Sequence, residues 1–269
     1  MQAKGIDISK WQAGLKIADV KKAGYEFVIM RAGYTSNGDG TTKNKDPQFE
    51  TFYSEAKQIG MPVGCYWYSG ADSYQKGAQE ANYIYQQCLK GKQFEYPIYI
   101  DVEETKFQSS KEKTTQAILG FCETLAKSGY MAGVYSSRSW FTSNIDVSRI
   151  KDITKWVANW SATKPSISLD HFDLWQNSSD GRIGAFTVDT DFAYRDFPAE
   201  VKKNGLNGFP KPANASKQLS AAATNLSKLA KQEAQIGTNL STFATQATTL
   251  AKQLADLAEK IEQIAKSLK

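Results

Sequence analysis

The chain has 269 residues, 41% hydrophobic and 12% aromatic, with a net charge of +5. That length fits one large α/β domain or a domain plus an appendage, and no stretch is apolar and long enough to span a membrane. The charge is uneven, +1 over residues 1–209 and +4 over residues 210–269; the basic excess suits an anionic surface (nucleic acid, membrane, bacterial wall polymer) or an ordinary solvated helix.

Lys4-Gly5-Ile6-Asp7-Ile8-Ser9-Lys10-Trp11-Gln12 reads as a short strand carrying an acid and then an aromatic. Met1-Gln2-Ala3 leads straight into it, so no signal peptide is expected, and synthesis in a cytoplasm without secretory export is. Residues 15–24 read as a helix stopped at Gly24. Phe27–Tyr34 is a continuous apolar run, as in a strand covered on both faces. A polar, Gly-rich loop follows to Asp46, then helical spacing from Pro47 to Ile59, ending at Gly60. Pro62–Tyr68 is the next strand, and residues 73–90 a helix ending at Gly91.

Pro97-Ile98-Tyr99-Ile100-Asp101-Val102-Glu103-Glu104 begins as a buried strand and ends in carboxylates. Residues two apart share a face, so Asp101 and Glu103 lie about 7 Å apart on one side. Buried acids are costly unless paired or solvated, which is also how one carboxyl is kept protonated at neutral pH. Taken alone, the pair reads equally as solvated acids at a strand end.

A helix follows over 111–127, ending at Gly129. Met131–Ser136, Lys155–Trp160 and Phe172–Gln176 are strands with little helix between them. Ser179-Asp180-Gly181-Arg182 reads as a turn before Ile183–Phe186, and Thr187–Phe192 closes the domain.

Cys65, Cys88 and Cys122 are odd in number and without a CxxC; they read as reduced core thiols, not a disulfide framework or a metal site. His171 is the only histidine, which excludes His-rich zinc sites, and no Gly-x-Ser-x-Gly is present.

Strand–helix alternation with apolar strands predicts a parallel sheet. About eight strands in about 200 residues predict an α/β fold of irregular (β/α) TIM-like barrel type, with few helices in its second half. In such barrels the working residues sit at the C-terminal strand ends. Asp7, Asp101, Glu103 and Asp189 fall at or near such ends, as do Trp11, Tyr34, Tyr66, Tyr68, Tyr135, Trp160 and Trp175. Acids among aromatic faces suit a carbohydrate: sugar C–H faces pack on rings, and carboxyls protonate or position the glycosidic bond. Core packing is the competing role for any single aromatic.

Gly5-Ile6-Asp7-Ile8-Ser9-Lys10-Trp11-Gln12, Asp101-Val102-Glu103, Trp156-Val157-Ala158-Asn159-Trp160, Leu174-Trp175-Gln176 and Val188-Asp189-Thr190-Asp191 together resemble the glycoside hydrolase family 25 lysozymes, over about residues 4–197 and in the family's order. The resemblance implies an irregular β/α barrel with N-acetylmuramidase activity on bacterial peptidoglycan. It implies Glu103 as general acid, Asp101 as the acid assisting at the substrate's acetamido group, and Asp7 and Asp189 as the remaining acids of the cleft. Asp191 competes with Asp189 for that place. No cofactor or metal is implied. A phage-type endolysin fits the expected lack of a signal peptide. A chitinase-like hydrolase, or a non-catalytic wall-binding or assembly protein, is the alternative.

The catalytic barrel is expected over 1–203. Residues 204–216, rich in Gly, Pro and Asn, read as a linker. Over 217–269 a 3-4 spacing runs through Leu219, Ala222, Leu226, Leu229, Glu233, Ile236, Leu240, Phe243, Ala247, Leu250, Leu254, Leu257, Ile261, Ile264 and Leu268, broken only by Glu233. This predicts a coiled coil or a helical hairpin turning near Gly237. Homo-oligomerisation is the expected role, with peptidoglycan as partner, no nucleic acid and no stable membrane insertion.

Overall fold

Short apolar runs rich in β-branched and aromatic residues form most of the strands of this computed structural model, which describes residues 2–36, 38–161, 163–164, 169, 171–211 and 215–267; the strand Lys43–Lys45 and the second half of the strand Leu174–Ile183 are polar. In order they are β1 (Ala3–Ile8), β2 (Phe27–Thr35), β3 (Lys43–Lys45), β4 (Val63–Tyr68), β5 (Ile98–Asp101), β6 (Ala132–Ser137), β7 (Thr154–Ala158), β8 (Leu174–Ile183) and β9 (Phe186–Ala193). Eight of them close a barrel in the order β1-β2-β4-β5-β6-β7-β8-β9, with β9 returning to β1. β3 stands outside the ring and pairs with Gly33–Thr35 of β2, past the end of β1.

The ladder from β1 to β8 is parallel, but β9 is antiparallel to both β8 and β1. This corrects the all-parallel expectation. The turn expected at residues 179–182 is also corrected: those residues continue β8, and the chain reverses at Gly184, whose φ is +58°. Register slips between Gln176 and Gly181 let this polar stretch stay in the ladder.

Alternation along the strands separates two cores. Ile6, Ile8, Val28, Met30, Val63, Cys65, Ile98 and Ile100 face the helices. Phe27, Ile29, Tyr99, Trp156, Leu174 and Ala193 face the barrel interior, with Tyr96 and Phe197 packed on them. Helices α1 (Ile17–Lys22), α2 (Phe49–Gln58), α3 (Tyr74–Ile84) and α4 (Lys111–Lys127) cover the first half. Among the described residues, only the α-helices α5 (Arg138–Ser143) and α6 (Phe197–Asn204) follow within the barrel unit. Ser73 and Ser110 cap α3 and α4 by accepting from the amides of Lys76 and Lys113. These helices cross at glycines: a Cβ on Gly77 would lie 2.1 Å from the Ala117 carbonyl oxygen, and one on Gly120 would lie 2.0 Å from that of Tyr74.

The barrel unit runs to Pro212. Part of the expected linker belongs to it. Asn207 is buried, donates to the Tyr96 carbonyl (2.9 Å) and accepts from the Met131 amide (2.7 Å). Residues 212–214 lie outside the described ones.

The second unit is one helix, α7 (Ala215–Ser267), 53 residues long and so about 80 Å. It is unbroken at Gly237, which overturns the hairpin alternative. A glycine inside a helix costs only about 1 kcal/mol, too little to end one this long. Leu226, Leu229, Ile236, Leu240, Phe243, Leu250, Leu254, Leu257 and Ile261 are all exposed. The side chains of Leu219 and Ile264, and Leu268 altogether, lie outside the described set.

Candidate active site

The inward face changes character along the barrel axis. Below lie the aromatic and aliphatic residues of the interior core. Above them the same alternation turns Asp7 (β1), Tyr66 and Tyr68 (β4), Asp101 (β5), Tyr135 (β6), Trp156 (β7), Gln176 (β8) and Asp189 (β9) into one cleft of about 290 Å³. Glu103, just past the end of β5, completes it. Asp7 and Asp189 are direct partners in the β1–β9 ladder. Because β9 runs the other way, Asp189 reaches the cleft from the first half of its strand, not from a C-terminal end.

Gln176 ties the floor together. Its Nε2 donates to Asp7 Oδ2 at 2.8 Å and, more weakly, to Asp189 Oδ2 at 3.4 Å. Its Oε1 accepts from the Tyr135 hydroxyl and from Trp160 Nε1, each at 3.0 Å. Trp156 Nε1 donates to Asp191 Oδ1 at 2.8 Å. Arg31 also lines the cleft, and its Nε donates to Asp46 Oδ2 at 2.7 Å.

Hydrogen bonding around the carboxyls is incomplete. Among the described residues, Asp101 Oδ1 and Asp191 Oδ2 are buried without a hydrogen-bond partner, as are the donors Arg31 Nη2 and the Tyr99 hydroxyl. Burial pushes Asp7 well above the ordinary carboxylate range, and the neighbouring Asp191 and Asp189 charges add to it, against the Gln176 hydrogen bond. Asp101 is raised by burial and by Glu103, with Arg31 pulling the other way. Glu103 is raised by burial of its carboxyl and by Asp189 and Glu104, although the side chain is open to the cleft mouth. Burial lifts Asp189 to about 6. Asp191 is raised well above its usual value by burial. Like charges gathered in one cleft oppose one another's ionisation, so each shift is in the direction of proton retention.

The four expected acids are thus brought together, with Tyr66, Tyr68 and Tyr135. Asp189 lines the cleft, whereas Asp191 lies beneath it, fully buried against Trp156. Tyr34 lines an adjoining cavity with Lys10, Trp11, Arg31, Thr35 and Tyr68. Trp160 is 64% exposed and touches the site through Gln176. Trp175 does not reach the cleft, a correction forced by the pleat. Gln176 points inward, so Trp175 points outward, packs on Phe192 and donates to the Asn159 carbonyl at 2.8 Å. Trp156, Gln176 and Arg31 were not among the expected site residues. The alternation Trp156-x-Ala158 and Leu174-x-Gln176 was the available signal for the first two. For Arg31, a cation inside the apolar run Phe27–Tyr34 was.

A family model described as glycosyl hydrolases family 25 matches residues 6–186. The autolytic lysozyme of Clostridium acetobutylicum is 28% identical over 188 residues, 70% of this chain and 54% of the relative. The chain therefore spans about half the length of that curated relative. Among solved structures, the catalytic domain of an endolysin from a Listeria monocytogenes bacteriophage aligns with a TM-score of 0.60 at 28% identity, over 75% of this chain and 97% of that one. A bacterial lysozyme from Streptomyces coelicolor aligns with a TM-score of 0.64 at 22% identity, over 77% and 98%. The matched segment holds the whole sequence from Asp7 to Gln176, and the fold and the family agree: the chain belongs to glycosyl hydrolases family 25.

Proposed function

We propose that the barrel is a peptidoglycan hydrolase of N-acetylmuramidase type, cleaving the β-1,4 bond between N-acetylmuramic acid and N-acetylglucosamine. The observation that carries the reading is a cluster of acids gathered in one cleft, with Glu103 at its open edge. Glu103 is the member a substrate reaches, and burial with the neighbouring Asp189 and Glu104 raises its pKa, the direction a general acid needs. It delivers that proton to the glycosidic oxygen. Asp101 lies deeper, beside Arg31 and the tyrosines, and orients the acetamido group or stabilises the charge that develops on it. Asp7 and Asp189 hold the floor through Gln176. Tyr66, Tyr68 and Tyr135 offer faces and hydroxyls to the sugar, and the buried Trp156 backs them.

Glu103→Gln should keep the fold and lose on the order of 10²–10⁴-fold in the rate of cell-wall clearing, the usual scale of general acid catalysis. Near wild-type clearing would sink the assignment. New reducing N-acetylmuramic acid ends from purified peptidoglycan, with no action on chitin, separate this reading from a chitinase-like one. The names of the relatives, autolytic lysozyme and endolysin, support a role in lysis of the bacterial wall.

We further propose that α7 joins copies of this chain. The 3-4 register holds from Leu226 to Ile261 without a slip, with Glu233 its one polar residue, and its large apolar side chains are exposed. A strict seven-residue repeat over this length matches another helix of the same period, and a second copy supplies one. Linked barrels gain avidity on a polymer. In light scattering, the full chain should exceed monomer mass and Leu240→Asp/Leu254→Asp should return it to monomer; a monomeric wild type rules this out.

A further inference from the structure

Charge is segregated along the cleft. Asp7, Asp101 and Asp189 lie on the floor and Glu103 at the mouth, but the cavity that continues past Trp11 and Tyr68 carries Lys10, with Arg31 bordering both. Lys10 is the important one. Its Nζ lies 4.9 Å from the Trp11 ring centroid and 5.5 Å from that of Tyr34, held between two aromatic faces. Arg31 stacks on the same Tyr34 ring at 5.5 Å, and Asp46 anchors it. Asp46 also accepts from the Lys10 backbone amide at 3.1 Å, which fixes the root of the lysine. Arg31 is thus charge-paired, whereas the Lys10 ammonium forms no salt bridge with a described carboxylate. Trp11 is 76% exposed and forms one open wall.

A cation held by two rings and left without a carboxylate is prepared for an anion on an otherwise sugar-like ligand. An anionic side group would be repelled over the acid floor and attracted at this end, so the cavity also gives the cleft a direction. We propose that Lys10, with Trp11 and Tyr34, is a subsite for the carboxylate on the 3-O side group of a muramic acid unit, which sets the direction in which the glycan lies across the acids. This rests on the muramidase reading above and adds to it a residue that distinguishes acid-bearing from neutral sugars.

The carboxylate has two sources: the free lactyl group of strands stripped of peptide, or the stem peptide attached to it. The test measures kcat/KM on stripped strands and on peptide-bearing strands, each with its carboxylates intact or converted to neutral amides. Wild type should prefer the carboxylate form of at least one strand by about 3- to 10-fold, the scale of a partly exposed charge-assisted contact. The strand that shows the preference identifies the source. The preference should shrink as salt is raised. Lys10→Gln should cleave both forms alike, and Lys10→Arg should restore the preference. Arg138→Gln, which alters another exposed cation near the strand ends, should retain it. Equal wild-type rates on carboxylate and amide forms of both strands overturn the subsite and leave the muramidase reading standing. So does a preference that survives in Lys10→Gln or disappears in Arg138→Gln. No cleavage of any strand overturns both.

Discussion

Replacing Gln176 with leucine tests whether one neutral amide holds the acid floor together. The change keeps roughly the same volume but removes a donor from Asp7 and an acceptor from Tyr135 and Trp160. Trp160 is 64% exposed, so water takes over that contact and little is lost. Asp7 is buried and cannot rehydrate; Tyr135 is half-buried. One orphaned buried carboxyl and one partly buried hydroxyl together cost about 2–4 kcal/mol. A domain of this size holds about 5–15 kcal/mol, so the variant folds, with a melting temperature lower by roughly 4–16 °C. Gln176→Glu separates hydrogen bonding from charge. The new carboxyl still accepts from Tyr135 and Trp160, but when ionised it faces Asp7 and Asp189. Its pKa in the fold is raised above the unfolded value, so its penalty is absent below about pH 4 and grows as pH rises through the raised value. Urea unfolding at pH 4 and pH 8 reads both effects. A Gln176→Leu loss under about 1 kcal/mol, or a Gln176→Glu loss independent of pH, would refute the reasoning.

The wild-type acids obey the same sign. Asp7, Asp101, Glu103 and Asp191 are raised, and Asp189 to about 6, so their stabilising share is complete below about pH 4 and lost as pH rises through the raised values. Asp39, Glu50 and Asp146 are lowered and act oppositely, losing their share as pH falls below about 4. The urea midpoint should therefore peak between about pH 4 and 6, and Asp189→Asn should flatten its alkaline fall; a midpoint that climbs to pH 8 contradicts this. Trp156→Phe removes the donor to Asp191 and should cost about 1–3 kcal/mol, more at pH 8 than at pH 5; a loss unchanged with pH would place the cost in packing alone. Gly77→Ala puts a methyl 2.1 Å from the Ala117 carbonyl oxygen and should cost about 1–3 kcal/mol by thermal denaturation, with α3 and α4 forced apart.

Much of this arrangement was legible in the chain. The apolar runs at residues 27–34 and 97–104 gave their strands away, and Gly24, Gly60, Gly91 and Gly129, all at positive φ, marked the helix ends. The direction of β9 was not legible, because antiparallel pairing depends on the two-residue reversal at Gly184 and not on the strand's own composition. Polar residues 178–182 looked like a turn for the same reason: outside the barrel a ribbon has two wet faces and needs no apolar alternation. Trp175 looked like a sugar platform because a tryptophan beside a glutamine carries no sign of which one faces in; only the shared register with β7 decides that. Asn207 looked like linker because its side chain's partners, Tyr96 and Met131, are distant in sequence.

The interior also explains why this barrel carries acids that it does not need for stability. Below the cleft, aromatic and aliphatic residues fill the space. One layer up, five carboxyls (counting Asp191) engage few donors, the Gln176 amide and the Trp156 indole, while Arg31 beside them gives its Nε to Asp46 and leaves Nη2 buried without a partner among the described residues. A core selected only for packing would replace these acids with apolar residues, since buried charges short of donors destabilise. The deficit has a chemical consequence. Too few donors means that protons stay on the carboxyls, and protons held in a cleft open at Glu103 can be transferred to a substrate. Asp191→Asn, which turns the carboxyl beneath the cleft into a donor and keeps an acceptor for Trp156, would relieve the deficit; it should raise stability at pH 8 while lowering wall-clearing activity. If both rise together, the shortage of donors is not what holds the reactive proton.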